Sequence, residues 1–88
     1  MKKNILLIII NILYLNVLHA QYTAIPDTNF KQALVELGID NEIDNQVLTT
    51  DINTLTDLNI IYKNISDLTG IQDFVSLTSL NCAYNNLT

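Results

Sequence analysis

The chain has no arginine and no tryptophan, and it carries a single histidine, a single proline and a single cysteine. Each shortage removes a class of function. Four lysines stand against nine acids, for a net charge of −5, and two of those lysines, Lys2 and Lys3, lie at the very start. Beyond residue 20 only Lys31 and Lys63 oppose all nine acids. Nucleic-acid affinity rests on cations facing phosphates, so nucleic acid is excluded as a partner. An anionic lipid surface would repel the chain as well. One thiol cannot build an internal disulfide framework. His19 is the only histidine and lies within the first twenty residues, so Cys82 has no imidazole to activate it and reads as a small buried hydrophobe. The acids are scattered over turns and outward positions rather than converging in a cleft, as a paired-carboxylate hydrolase would need. The expectation is therefore a protein without catalytic residues and without a cofactor.

Long apolar stretches are scarce too. The one run, Ile5 to Leu18, is interrupted by Asn11 and Asn16 and falls short of the roughly 20 residues of a spanning helix. Lys2 and Lys3 before it, and Ala20 before Gln21, give the layout of a secretory signal peptide over residues 1–20, although Leu18 is bulky for the position two residues before Ala20. The alternative for this segment is a retained membrane anchor. On the signal-peptide reading the mature chain is secreted or held at the cell surface, with no stable membrane insertion after cleavage.

What remains divides in two, residues 21–54 and 55–88. In the first, residues 21–26 form a lead-in ending at Ile25-Pro26. A helix follows over 27–38, where Asp27 serves as N-cap and Gly38 ends it in a left-handed conformation. Phe30, Ala33, Leu34 and Leu37 recur at i, i+3, i+4, i+7 and share one apolar face. Residues 39–54 are an acidic joint. Asp40, Glu42, Asp44, Gln46 and Asp51 alternate as oxygen ligands do in a calcium loop, but Asn45 replaces the turn glycine, Asp51 is a short final ligand and no exit helix is expected. A solvated acidic turn is the plainer reading, and no resident metal is expected.

The second half repeats itself at a shift of 22 residues. Leu55, Leu58, Ile60 and Ile65 map onto Leu77, Leu80, Cys82 and Leu87. The frame Leu77-x-x-Leu80-x-Cys82-x-x-Asn85-x-Leu87 fits the leucine-rich-repeat template. Alternation along each short strand points Leu58 and Ile60, then Leu80 and Cys82, inward. Ile65, Leu68, Ile71, Phe74 and Leu77 complete the interior of a coil. Asn85 stands where the chain leaves the strand, and its amide can pair backbone groups of the turn, whereas Lys63 at the equivalent place cannot accept a hydrogen bond. The expected architecture is an α/β solenoid with short parallel strands, a helical N-terminal cap over the first coil's leucines, and an incomplete C-terminal end.

These residues, together with Ile65-Ser66-Asp67-Leu68-Thr69-Gly70-Ile71 and Ile25-Pro26-Asp27-Thr28-Asn29-Phe30, resemble the secreted bacterial internalin-like leucine-rich-repeat proteins of the 22-residue class. The resemblance implies an exported module that binds a protein or a glycan on its strand face, and a longer array of which this is the N-terminal portion. The outward positions are Asp57, Asn59, Ile61 and Tyr62 beside Ser79, Asn81, Ala83 and Tyr84. The equivalent tyrosines could stack as an aromatic ledge, or serve only as a cross-strand pair. The alternative function is a capping or spacing module of a larger adhesin or secreted enzyme, with no ligand of its own.

Overall fold

The computed structural model describes residues 21–88; residues 1–20, for which a signal peptide is expected, lie outside the described residues. The first strand, β1, is Tyr22–Ala24, and helix α1 is Thr28–Glu36. Strand β2 (Gln46–Leu48) runs directly into a one-turn helix, α2 (Thr49–Ile52). Strand β3 (Asp57–Asn59), a 3₁₀ turn (Ile71–Asp73) and strand β4 (Ser79–Asn81) follow. No helix among the described residues is long and apolar enough to cross a membrane.

Helix α1 starts where its sequence requires. Asp27 is extended (φ −75°, ψ 116°), and its carboxylate accepts from the N–H groups of Asn29 and Phe30, both at 2.9 Å. Two otherwise orphaned donors of the first turn are thereby paired. The other end closes as a Schellman motif around Gly38 (φ +77°): Gly38 N–H donates to Val35 O and Ile39 N–H to Leu34 O, each at 3.0 Å. This turn corrects one expectation. Leu37 does not join the buried face but is 48% exposed, because the left-handed residue swings the chain back and packs Ile39 against the core instead. Phe30, Ala33 and Leu34 are fully buried as expected.

The lead-in and the acidic joint are more ordered than their composition suggests. Strands β1 and β2 pair antiparallel, with Tyr22 opposite Leu48, Thr23 opposite Val47 and Ala24 opposite Gln46. Thr23 is buried, and its hydroxyl donates to Asp73 Oδ2 at 2.7 Å while accepting from the Thr49 hydroxyl at 2.8 Å. The cap sheet is thus fastened to the 3₁₀ turn of the first coil.

The 22-residue shift is the register of the second sheet. Strands β3 and β4 are parallel, pairing Asp57 with Ser79, Leu58 with Leu80 and Asn59 with Asn81. The offset continues outside the strands: Thr78 N–H donates to Thr56 O at 2.8 Å, and Tyr62 N–H to Ala83 O at 3.3 Å. One cluster, from Ile25, Phe30 and Leu34 through Val47 and Ile52 to Leu58, Ile60, Ile65 and Phe74, runs unbroken from cap to coil. The Phe30 and Phe74 rings face each other at 6.0 Å across that boundary.

Burial falls along the stack. Leu58 is 2% exposed, but its partner Leu80 is 40% exposed, and Cys82 is only half-buried where a buried thiol was expected. Their layer has a neighbour on one side only, since β4 is paired with β3 alone. Ile61, expected to face outward, is half-buried.

Gly70 marks the closest approach of the two parts. Its φ is +107°, and a Cβ there would sit 2.6 Å from the carbonyl oxygen of Ala24 and against the Ile25 side chain. Gly70→Ala is expected to cost about 1–3 kcal/mol through strain and overpacking. A urea midpoint indistinguishable from that of the unsubstituted protein would refute this contact.

Candidate functional site: the strand face and its flanking turns

The repeat places the eight candidate positions in two rows, all exposed except the half-buried Ile61. Asp57 and Asn59 on β3 lie beside Ser79 and Asn81 on β4, and all four are exposed. Each asparagine then shapes the turn after its strand in the same way. Asn59 Oδ1 accepts from Ile61 N–H at 3.4 Å, and Asn81 Oδ1 from Ala83 N–H at 3.2 Å. These turns carry Tyr62 and Tyr84 into the left-handed region, with φ of 55° and 59°. The two rings lie 4.5 Å apart and within 2° of parallel, and both residues remain about 70% exposed, at 68% and 71%. The two rings therefore stack, as either reading of the pair requires. A non-glycine, non-asparagine residue with positive φ is uncommon; here the same departure occurs twice at equivalent positions.

Beneath the ledge, Asn85 does more than pair its own turn. Its Oδ1 accepts from the N–H groups of Lys63 and Ile65, each at 3.0 Å. Its Nδ2 donates to Ile60 O at 2.8 Å and Cys82 O at 3.0 Å, with a longer contact to Ala83 O at 3.3 Å. One amide thus joins two coils. Asn64 and Asn86 add a second link at the same offset through their side-chain amides.

The first coil has no Asn85 counterpart, because Lys63 fills that position and its ammonium instead reaches Glu36 at 3.2 Å. The cap helix supplies the missing partners. Asp27 Oδ2 accepts from the backbone N–H groups of Ser66 and Asp67 at 2.9 and 3.0 Å, and from the Ser66 hydroxyl at 3.1 Å. Asn29 Nδ2 donates to Asn64 O at 2.8 Å. One carboxylate caps the helix with one oxygen and the coil with the other. Burial pushes the Asp27 carboxyl up, but the hydrogen bonds from Phe30, Ser66 and Asp67 outweigh it and hold it below the ordinary carboxylate value.

The acidic joint is arranged around a residue that composition did not single out. Lys31 is 1% exposed, and its Nζ donates to Asp44 Oδ1 at 2.7 Å, Gln46 O at 2.7 Å and Glu42 O at 2.8 Å, with Asp40 completing an ion pair. Asp40 and Asp44 therefore direct carboxylates inward, while Glu42 and Gln46 contribute backbone carbonyls. Asp51 lies on α2 and lines, with Tyr22, Asp40, Glu42 and Asp44, a separate cavity of about 340 Å³. Among the described residues no group of three or more His, Cys, Asp or Glu side chains is placed to hold a metal ion. A cue was present, since Lys31 is the only cation within residues 21–54 and faces a run of acids. The hydrogen bond from Lys31 holds the Asp44 carboxyl below its ordinary value.

Two parallel strands in 22-residue register, an asparagine amide bridging the coils and a helical cap define a leucine-rich-repeat fold. Internalin J of Listeria monocytogenes serotype 4b (strain F2365) is 35% identical over 63 residues, covering 72% of this chain and 7% of that protein. A solved structure of the functional domain of InlJ from Listeria monocytogenes, which includes a cysteine ladder, matches with a TM-score of 0.63 at 32% identity. That match covers 81% of this chain and 17% of the solved one. No family model matches the chain. The chain is an internalin-like leucine-rich-repeat protein, and it spans a small fraction of the length of these relatives.

Two measurements probe this geometry. Asn85→Ala strands backbone donors and acceptors of both coils and is expected to cost at least about 2 kcal/mol, at about 1–3 kcal/mol per buried group left unpaired; denaturation that is unchanged would refute the bridge. For acid, the folded Asp27 and Asp44 carboxyls lie below their unfolded values. Their contribution is complete above about pH 4 and is lost as pH falls through the folded values. Urea midpoints between pH 2.5 and 6, a range of roughly one to two units on either side of that value, should decline at the acid end, with a shallower decline in Asp27→Asn.

Proposed function

We propose that this chain is the cap and first coils of an exported recognition module, which binds a protein or a glycan at the cell surface or outside the cell. The observation that carries the proposal is the Tyr62–Tyr84 ledge. Both rings are exposed, stacked, and held by a backbone conformation that glycine or asparagine would adopt at less cost. Parallel aromatic rings stabilise one another by about 0.5–1.5 kcal/mol beyond their burial, and they leave a rigid amphipathic edge to a partner. Asp57, Asn59, Ser79 and Asn81 form the polar floor beside it, with Ile61 and Ala83 at its margin.

On this reading the array continues. Leu80 and Leu87 are 40% and 41% exposed, and a further coil of the same frame would bury them. Such a coil would also set a residue against Cys82, which occupies the position of Ile60 one coil earlier. This is the arrangement in which a cysteine ladder like that of InlJ would begin. An export signal in residues 1–20 fits the same proposal.

A second reading has its own support. Asp27, Asn29 and Thr23 are committed to the first coil, as a capping module with no ligand requires. The Tyr62→Ala/Tyr84→Ala double variant separates the two. Screened on glycan arrays and against extracellular protein domains, recognition predicts at least tenfold weaker binding with an essentially unchanged melting temperature. Loss of folding with no ligand found for the unsubstituted protein would favour the capping role.

A further inference from the structure

Four oxygens converge on Lys31 Nζ from residues 40, 42, 44 and 46, every second residue of one loop. Two are carboxylate and two are carbonyl. That alternation of side-chain and main-chain donors is how a loop wraps a hard cation, yet the positive charge at its centre is an ammonium delivered from helix α1. The three N–H bonds of an ammonium are all used, at 2.7–2.8 Å, and the residue is 1% exposed. Burial depresses an amine, but Asp40 and Asp44 outweigh it and hold Lys31 above the ordinary lysine value. The cation is therefore retained throughout the neutral range.

We propose that Lys31 is the built-in cation of the 40–46 loop, a tethered occupant standing in for a divalent ion so that the cap closes without metal. The loop needs such a charge. Asn45 O accepts from Ile25 N–H at 2.8 Å, and Gln46 opens β2, so the loop's curvature sets the pairing of the cap sheet. Without a central positive charge, the Asp40 and Asp44 carboxylates and the Glu42 and Gln46 carbonyls would face one another. The inference is independent of the recognition face, which lies on the other half of the chain.

The test uses the whole chain. With ¹⁵N-labelled lysine, the Lys31 ammonium should give a slowly exchanging N–H₃⁺ resonance at neutral pH that persists on alkalinisation, while that of the half-exposed Lys63 broadens away. In thermal melts the unsubstituted protein should respond equally to EDTA and to millimolar calcium chloride. Lys31→Met should melt roughly 10 °C or more lower in EDTA, because it leaves the largely buried Asp40 carboxylate and its neighbour Asp44 unpaired, and should recover part of that loss in calcium. The proposal is overturned if calcium raises the melting temperature of the unsubstituted protein, or if Lys31→Met melts normally in EDTA. A destabilised variant with no calcium response overturns the stand-in role. Should Lys31→Met not fold, a Lys31 ammonium signal that exchanges as fast as that of Lys63 refutes the buried site.

Discussion

Backbone pairing between positions 22 residues apart is the constraint on which the structure depends. A coil of this kind has few regular hydrogen bonds of its own, since each strand is only three residues long. Its remaining backbone donors and acceptors must be paired by the next coil or by side chains that reach across. Asn85 serves five such groups, and Asn64 with Asn86 repeats the link nearby. The same requirement explains the cap. A first coil has no predecessor, so its turn must be paired from elsewhere, and Asp27 and Asn29 on the cap helix do this.

The cap is consequently more than an apolar lid. Its helix covers the leucines through Phe30, Ala33 and Leu34, which is the hydrophobic part of the task. Its polar part is divided among Asp27, Thr23 and Lys31, each of which holds two or more segments at once. Gly70 fits this picture because the cap backbone approaches the coil so closely that no side chain can intervene. The tyrosine ledge stands on the opposite premise. It is exposed, contributes little to the shared core, and is positioned by the same register that orders the interior.

Features carried by local or periodic patterns were legible in the sequence. The 22-residue frame, the Asp27 cap, the Gly38 turn, the Asn85 turn pairing and the tyrosine pair follow from spacing and residue chemistry, whereas the reach of Asn85 into the preceding coil does not. Leu37 misled because simple helical periodicity ignores the left-handed turn that hands its place to Ile39. Leu80 and Cys82 follow the inward alternation, but periodicity does not say how well each layer is covered. The features that escaped notice are polar and distant in sequence: the pairing of β1 with β2, the second oxygen of Asp27 and the burial of Lys31. Charge counting offers a cue only for Lys31, the lone cation among the acids of residues 21–54; the strand pairing and the second Asp27 contact join segments far apart in sequence, which no local pattern reveals.

The most direct measurement of the central claim is a methyl and aromatic NOE spectrum of the labelled chain. The account predicts cross-peaks between the methyl groups of Leu58 and Leu80 and between the rings of Tyr62 and Tyr84, as adjacent parallel coils demand. Absence of both sets in a folded sample would contradict the register and with it the architecture built upon it.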